Sequence, residues 1–502
     1  MTMGMPILNE PIQLHSSVRE WLDQPKRMLI GGEWVESKSG KTFLTEDPGT
    51  GQTLAEVPSA DADDVDAAVS AAQRGFQAWQ ALAPAARADI LWRVGELIHQ
   101  HAEEFAQLES LDTGKGISAA RAIDVPFTAE NFKYTAGWAT KLNGETFNLS
   151  LSDEEWHTFT LREPAGVAAG IIPWNYPLAQ ASFKIAPALA AGCSVILKPA
   201  EQTPLTALRL AEIMTEAGVP PGAVNVVTGF GETAGAAIAR HPEINKISFT
   251  GSTEVGKLIL KAAAETNLKR VTLELGGKSP TIIFDDADLE AAIPVAAAAI
   301  FNNTGQVCNA GSRLYVQRSV FERVLEGVKQ YAANLRIGYG LDERTDIGPL
   351  MSKAQLERVT GYVQQGLHDG ATLYFGGASE FDANGYFFQP AIVTNTRPEM
   401  SIVREEIFGP VLVAEPFDDP DEIEPVANAT VFGLAATIFT ANISRAHRLA
   451  KRLKAGAVWI NCFGVFDPNL PFGGYKQSGI GREMARLGVE AFTEVKAVTI
   501  RL

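Results

Sequence analysis

The residue best suited to covalent chemistry is Cys308, within Gly305-Gln306-Val307-Cys308-Asn309-Ala310-Gly311-Ser312-Arg313. Buried structural cysteines usually sit in apolar runs. This one follows an alanine-rich apolar stretch and has Gln, Asn, Gly and Ser as neighbours, a small, flexible, polar setting that suits a thiolate nucleophile. Taken alone, a cysteine in such a loop is also an ordinary spectator. A nucleophile needs a base and an oxyanion donor. Glu274 ends the apolar run Val271-Thr272-Leu273. Burial there would raise its pKa toward a general base's working range, though a strand-end ion pair or cap is an equal reading. Asn175 precedes Tyr176-Pro177 at a strand-to-helix junction, so it reads either as an N-cap or as an amide aimed at an oxyanion.

Other groups could hold a cofactor. Lys198 and Glu201 close a short apolar run; both can hydrogen-bond a ribose, and Glu201 would repel a 2′-phosphate, favouring NAD over NADP. Gly251-Ser252-Thr253-Glu254-Val255-Gly256 resembles a phosphate-binding turn at a helix start, and Gly229-Phe230-Gly231 is a partial match. Neither is the GxGxxG fingerprint, and on motif alone each is more often a tight turn. Gly276 and Gly277 allow close approach to the backbone. Glu405-Glu406-Ile407-Phe408 precedes a Gly-Pro turn. A late loop carries Cys462, Phe463, Phe466 and Phe472, whose rings either line a pocket or pack a core.

The elements that must position these groups are clearest between 166 and 276. Strand patterns at 167–172, 194–198, 225–228, 246–250 and 270–274 alternate with helical patterns at 178–190, 205–217, 233–240 and 253–265. Helix-length crossovers imply a parallel, right-handed βαβ sheet, which binds ligands beyond the carboxyl ends of its strands. Asn175, Lys198, Gly231, Gly251 and Glu274 should share that rim. Two long amphipathic helices are expected over 62–110. A second α/β pattern begins after Gly277, with an apolar helix at 288–301 that Pro294 should kink, and further helices near 319–335 and 352–369. Segments 155–167 and 493–502 alternate without crossover helices, as a projecting hairpin or intersubunit sheet would, or as plain edge strands.

The 502-residue chain is too long for one core, so two large domains are expected. A net charge of −16 argues against nucleic-acid or anionic-membrane partners, which need basic surface. Three cysteines, with no CxxC or Cys/His cluster, make neither a disulfide framework nor a zinc site, so no metal is expected. The first residues lack a signal-peptide pattern, and no apolar run is of membrane-spanning length; a cytoplasmic protein is the expectation.

Seven strings occur in order: IIPWNYP, ILKPAEQTP, FTGSTEVG, LELGGKSP, GQVCNAGSR, EEIFGPV and PFGGYKQSGIGRE. Together they resemble the aldehyde dehydrogenase superfamily, over about 28–502. The resemblance implies an α/β fold of two parallel-sheet domains plus a small β oligomerisation arm. The NAD-binding domain would span 1–140 and 165–276, the catalytic domain 277–475, and the arm 141–164 and 484–502. It implies NAD-dependent oxidation of an aldehyde to its acid. Cys308 would attack to form a thiohemiacetal, Asn175 and the Cys308 N–H would hold the oxyanion, hydride would pass to NAD leaving a thioester, and Glu274 would activate the hydrolytic water. Trp174, Lys198, Glu201, Gly231, Gly251, Ser252, Gly276, Glu406 and Phe408 would contact the cofactor.

Tyr176, Gln180, Phe183, Val307, Asn309, Phe463, Phe466 and Phe472 would line the substrate pocket. Phe183 stands where many relatives carry Trp, and the pocket helix has no acidic residue, which disfavours cationic aldehydes. Within the family the chain is most similar to bacterial phenylacetaldehyde dehydrogenases, so phenylacetaldehyde or a similar aryl or apolar aldehyde is the expected substrate. Betaine-aldehyde or aminoaldehyde oxidation, broad aliphatic aldehyde oxidation, and a non-catalytic structural role are the alternatives. A homo-oligomer, tetramer rather than dimer, is implied as well.

Overall fold

The structure is a computed structural model that describes residues 7–151, 155–379, 381, 384–419 and 421–502. Residues 1–6 of the expected 1–140 segment, 152–154 of the expected arm, and 380, 382–383 and 420 of the expected 277–475 unit lie outside the described residues.

The five expected strands form the centre of the first sheet, as Val167–Ile171, Ser194–Lys198, Val224–Val226, Lys246–Thr250 and Arg270–Glu274. They pair in parallel. Four are buried throughout, as expected where helices cover both faces of a parallel sheet. The sheet is wider than five strands. Glu33–Val35 and Met28–Ile30 add to one edge and Gly479–Ile480 to the other, all antiparallel. These short edge strands are brought in from distant parts of the chain.

The region 62–110 holds three helices rather than two: Ala62–Gln80, Pro84–Gln100 and Ala102–Thr113. Pro84 starts the second at a position where its missing N–H costs nothing. A break at His101, outside the helical basin, then separates the second from the third without interrupting the apolar pattern. The expected 233–240 helix begins as a π-helical turn, Gly231–Gly235, before Ala236–Arg240.

Leu275-Gly276-Gly277 leads from the first sheet into Pro280–Ile283 of a second, seven-stranded sheet, whose strands are parallel except for Thr372–Gly376 at one edge. The apolar helix Leu289–Phe301 is capped by Asp288 and runs on through Pro294. Phe321–Asn334 and Lys353–His368 follow as expected. Trp156–Pro164, Thr493–Arg501 and Thr146–Phe147 pair antiparallel as a separate three-stranded sheet, so the alternating segments are not edge strands of either large sheet. No described helix is long and apolar enough to cross a membrane.

Candidate active site

A cleft of about 800 Å³ opens between the carboxyl rim of the first sheet and the second sheet. Trp174, Asn175, Gln180, Gly251, Ser252, Glu274, Gly276, Cys308, Glu406 and Phe408 line it together. Residues as far apart as 174 and 408 in the sequence thus share one wall.

The turn carrying Cys308 is packed rather than flexible. Asn303, Thr304 and Gly305 take consecutive left-handed conformations, with φ of 49°, 55° and 70°. A Cβ on Gly305 would lie 2.2 Å from the Gly409 backbone, so glycine is required there on both counts. The Gln306 side chain accepts from the Met351 N–H at 2.8 Å. Asn175 does not cap the following helix, whose N-cap is Tyr176 without a side-chain bond. Its Nδ2 donates instead to the Gln306 carbonyl at 2.9 Å, two residues before Cys308.

Glu274 is buried, and neither carboxylate oxygen has a hydrogen-bond partner. The strand-end cap or ion pair is therefore not made. Burial pushes its carboxyl up to about 8, against the opposing charges of Lys184 and Arg482, and Glu406 adds to the rise. Burial also pushes the Cys308 thiol well up, as do the Glu274 and Glu406 carboxylates, while the N–H groups of Asn309 and Cys308 favour the thiolate. Behind the cleft, buried Lys184 donates to Thr250 Oγ1 at 2.6 Å and pairs with Glu483.

Glu406 accepts the Gly277 N–H at 2.9 Å, and a Cβ on Gly276 would collide with its carboxylate. Burial pushes the Glu406 carboxyl up to about 7. Phe408 sits at φ 62° with its carbonyl bonded by Gln355, and its ring meets Trp174 edge-on at 5.2 Å. Ser252 caps the Thr253–Glu265 helix, whose first residues open onto the cleft. Lys198 and Glu201 pair at 3.4 Å on the same rim, outside the cleft's lining, and Lys198 runs past Gly235 in the turn that Gly231 begins.

The aromatic residues gather on the other side of Cys308. Phe183 and Cys308 pack against a buried cluster of Leu434, Phe472 and Met484. Phe466 meets Phe472 at 5.0 Å, and Trp459 joins Phe463 to Phe466. Tyr176 lies under the Lys115 ammonium, 3.9 Å from its ring centre. Two expected pocket residues are placed elsewhere. Val307 packs against the core of the second sheet, and Asn309 is buried with its amide unpartnered. Cys308 and Asn309 are the two central residues of a turn closed by the Ala310 N–H donating to the Val307 carbonyl at 3.0 Å, which directs the three side chains differently.

Several residues were not found from the sequence. Gln355, Arg358, Tyr362 and the 429–432 segment line the cleft. Phe127 packs edge-on against Phe183 at 5.7 Å and also lines an outer pocket of about 470 Å³, beside Glu130 and Asp467. These lie on ordinary amphipathic helices and loops and had no signal in the sequence; buried Lys184, also missed, had one, as a lysine inside an apolar helix.

Residues 34–498 match the family described as Aldehyde dehydrogenase family. A phenylacetaldehyde dehydrogenase of Pseudomonas fluorescens is 48% identical over 95% of this chain and 96% of its own. The NAD+ complex of a Bacillus cereus aldehyde dehydrogenase superposes with a TM-score of 0.96 at 47% identity, covering 98% of this chain and 100% of that one. An indole-3-acetaldehyde dehydrogenase in complex with NAD+ gives 0.93 at 42%, covering 97% and 99%. With a fold, a motif order and a family match that agree over nearly its whole length, this chain belongs to the aldehyde dehydrogenase family.

Proposed function

We propose that this chain oxidises an aldehyde to its carboxylic acid with NAD, through a covalent intermediate on Cys308, and that it prefers aryl or apolar aldehydes such as phenylacetaldehyde. The observation that carries this reading is the meeting of Cys308, Glu274 and Asn175 in one cleft.

In this reading Cys308, once its thiol has given its proton to solvent in the cleft, attacks the aldehyde carbon through Sγ; the C–S bond forms as the carbonyl π pair moves onto oxygen. Charge developing on the carbonyl oxygen is met by the Asn175 N–H not used by Gln306, and by the Cys308 N–H. The hydride then leaving this carbon would pass to bound NAD, while the oxyanion's electron pair restores the carbonyl as a thioester on Cys308. Glu274 then takes a proton from water as it attacks the thioester carbon; the C–S bond breaks, the acid leaves and the thiol re-forms. The cleft suits a dinucleotide. A helix of 13 residues presents its N-terminus there for a pyrophosphate, Gly276 leaves no side chain in the way, and the Glu406 carboxylate can accept from a ribose. Lys198 and Glu201 would hold the other ribose, and Glu201 would disfavour a 2′-phosphate.

The aldehyde would approach from the outer pocket past Phe127 and Phe183. The rings of Phe183, Phe466 and Phe472 favour an aromatic substrate. A second reading, a cationic aminoaldehyde, is favoured by the Glu130 and Asp467 carboxylates on that pocket. Steady-state kcat/KM for phenylacetaldehyde, hexanal and betaine aldehyde, each with NAD and NADP, decides. A preference for betaine aldehyde would replace the first substrate reading by the second, and NADH formation by Cys308→Ala would overturn the mechanism.

The domains we propose are 1–140 and 165–276 for NAD, 277–475 for catalysis, and 141–164 with 484–502 as the arm; the separate sheets support this division, although Gly479–Ile480 joins the first sheet from outside these ranges. Phe147, Leu161, Val495 and Ile500 are exposed on the three-stranded sheet, which supports a homo-oligomer; the preference for a tetramer over a dimer comes from the family resemblance. Sedimentation equilibrium tests it, and a monomer would refute it.

A further inference from the structure

Behind one wall of the cleft lies a much smaller cavity lined by basic groups. Lys278 and Arg313 are both buried there, 1% and 2% exposed. Arg313 is committed to carbonyls: Nε donates to Lys278 O at 2.8 Å and Nη2 to Ala427 O at 2.9 Å. Lys278 Nζ has no hydrogen-bond partner, and neither has Ser279 Oγ on the same cavity. Lys454, an exposed residue, borders it as well, and no described Asp or Glu lines it. Just outside, Lys476 donates to the carbonyls of Asn428 and Thr430; partial burial, and then the charges of Arg313 and Lys454, lower its pKa.

A buried ammonium with no hydrogen-bond partner is costly. Burial pulls Lys278 down to about 7, and Arg313 and Arg358 push the same way; the Glu406 and Glu405 carboxylates oppose them. The cavity has a volume of about 10 Å³, enough for one water-sized occupant. A water molecule would satisfy one N–H of Lys278 but bring no negative charge to the side of Lys278 and Arg313.

We propose that this cavity binds a small inorganic anion of the halide class, held by the Lys278 ammonium and the Ser279 hydroxyl beside the Arg313 guanidinium. The site stands whether or not the proposed function does. Thr430 and Phe432 line both this cavity and the cleft, so the occupant also braces a wall of the cleft. That consequence rests on the cofactor reading above.

Crystals of the full chain in sodium bromide, measured at the bromine edge, test the site. The expected result is an anomalous peak within the cavity that is lost in Lys278→Met. A cavity holding only water, or nothing, while bromide labels other sites would overturn it. In solution, thermal unfolding is compared in sodium bromide and sodium gluconate at equal ionic strength. Bromide should raise the wild-type Tm by about 2–4 °C and leave Lys278→Met unmoved; equal shifts in both would overturn the site. Should Lys278→Met not fold, Ser279→Ala takes its place, with a weaker peak and a smaller shift expected. The NAD dissociation constant should fall in bromide for the wild type alone. A bromide peak with unchanged NAD affinity would remove the bracing role and keep the site.

Discussion

The Asn175 side chain donates to the Gln306 carbonyl at 2.9 Å, tying the rim of the first sheet to the turn that carries Cys308. Asn303 closes the arrangement by donating to the carbonyls of both Asn175 and Gln306 at 3.3 Å. One amide N–H of Asn175 is thus spent on position and the other is free for the cleft. Asn175→Ala should lower kcat by about 10²–10³-fold, the usual effect of losing one oxyanion donor. A raised KM with unchanged kcat would show that Asn175 only shapes the turn.

Glu274 works as a base only when deprotonated, and its carboxyl is pushed up to about 8. Deacylation should therefore climb with pH through about 8 and level off above it. Glu274→Gln should remove that limb and slow turnover by about 10²–10⁴-fold, while leaving a burst of one NADH per site. Loss of the burst together with turnover would place Glu274 in the first step instead.

Cys308 should react slowly with iodoacetamide at pH 7, because burial and the Glu274 and Glu406 carboxylates hold its thiol well above the usual range. The labelling rate should keep rising past pH 9. Removing one of those charges in Glu274→Gln should move the curve to lower pH. Mass spectrometry distinguishes the site from Cys193, which is buried with its thiol pushed up to about 11, and from half-buried Cys462. An unmoved curve would mean that Glu274 does not act on the thiol.

Lys184 is fully buried and pairs with Glu483. Glu483→Gln should cost about 3–5 kcal/mol in urea unfolding, the usual effect of stranding one member of a buried pair. The loss should be greater at pH 6 than at pH 9. Burial draws the wild-type Lys184 pKa down to about 7, against the Glu274 charge, so the amine is charged and paired at pH 6 and has largely lost its proton, and with it the pair, at pH 9. A cost under about 1 kcal/mol at pH 6 would show that the pair adds little.

Phe127 and Phe183 form an edge-on pair on the proposed substrate path. Phe127→Ala should lower kcat/KM for phenylacetaldehyde by about 2–10-fold, from an aromatic-pair energy of about 0.5–1.5 kcal/mol, and affect hexanal less. Equal losses for both aldehydes would assign Phe127 to packing alone.

The parallel core of the first sheet was legible because each strand and crossover carries its own hydrophobic period. The three added edge strands were not, since runs of two or three residues have no period to read. Glu274 was visible as a carboxylate ending an apolar strand, but its lack of partners was not. Glu483, 209 residues later, and Lys184 reach its neighbourhood only through packing.

Local order along the chain therefore determined which residues could react and which elements would carry them. Motif order determined the family. The tertiary structure alone decided which of those residues meet. It turned Val307 into the second core and Asn309 into the interior, and brought Phe127 and Met484 toward Cys308. It also closed a supposedly flexible loop into a packed turn. Periodicity records which face of an element is buried; only the packing of one sheet against another records what that face touches.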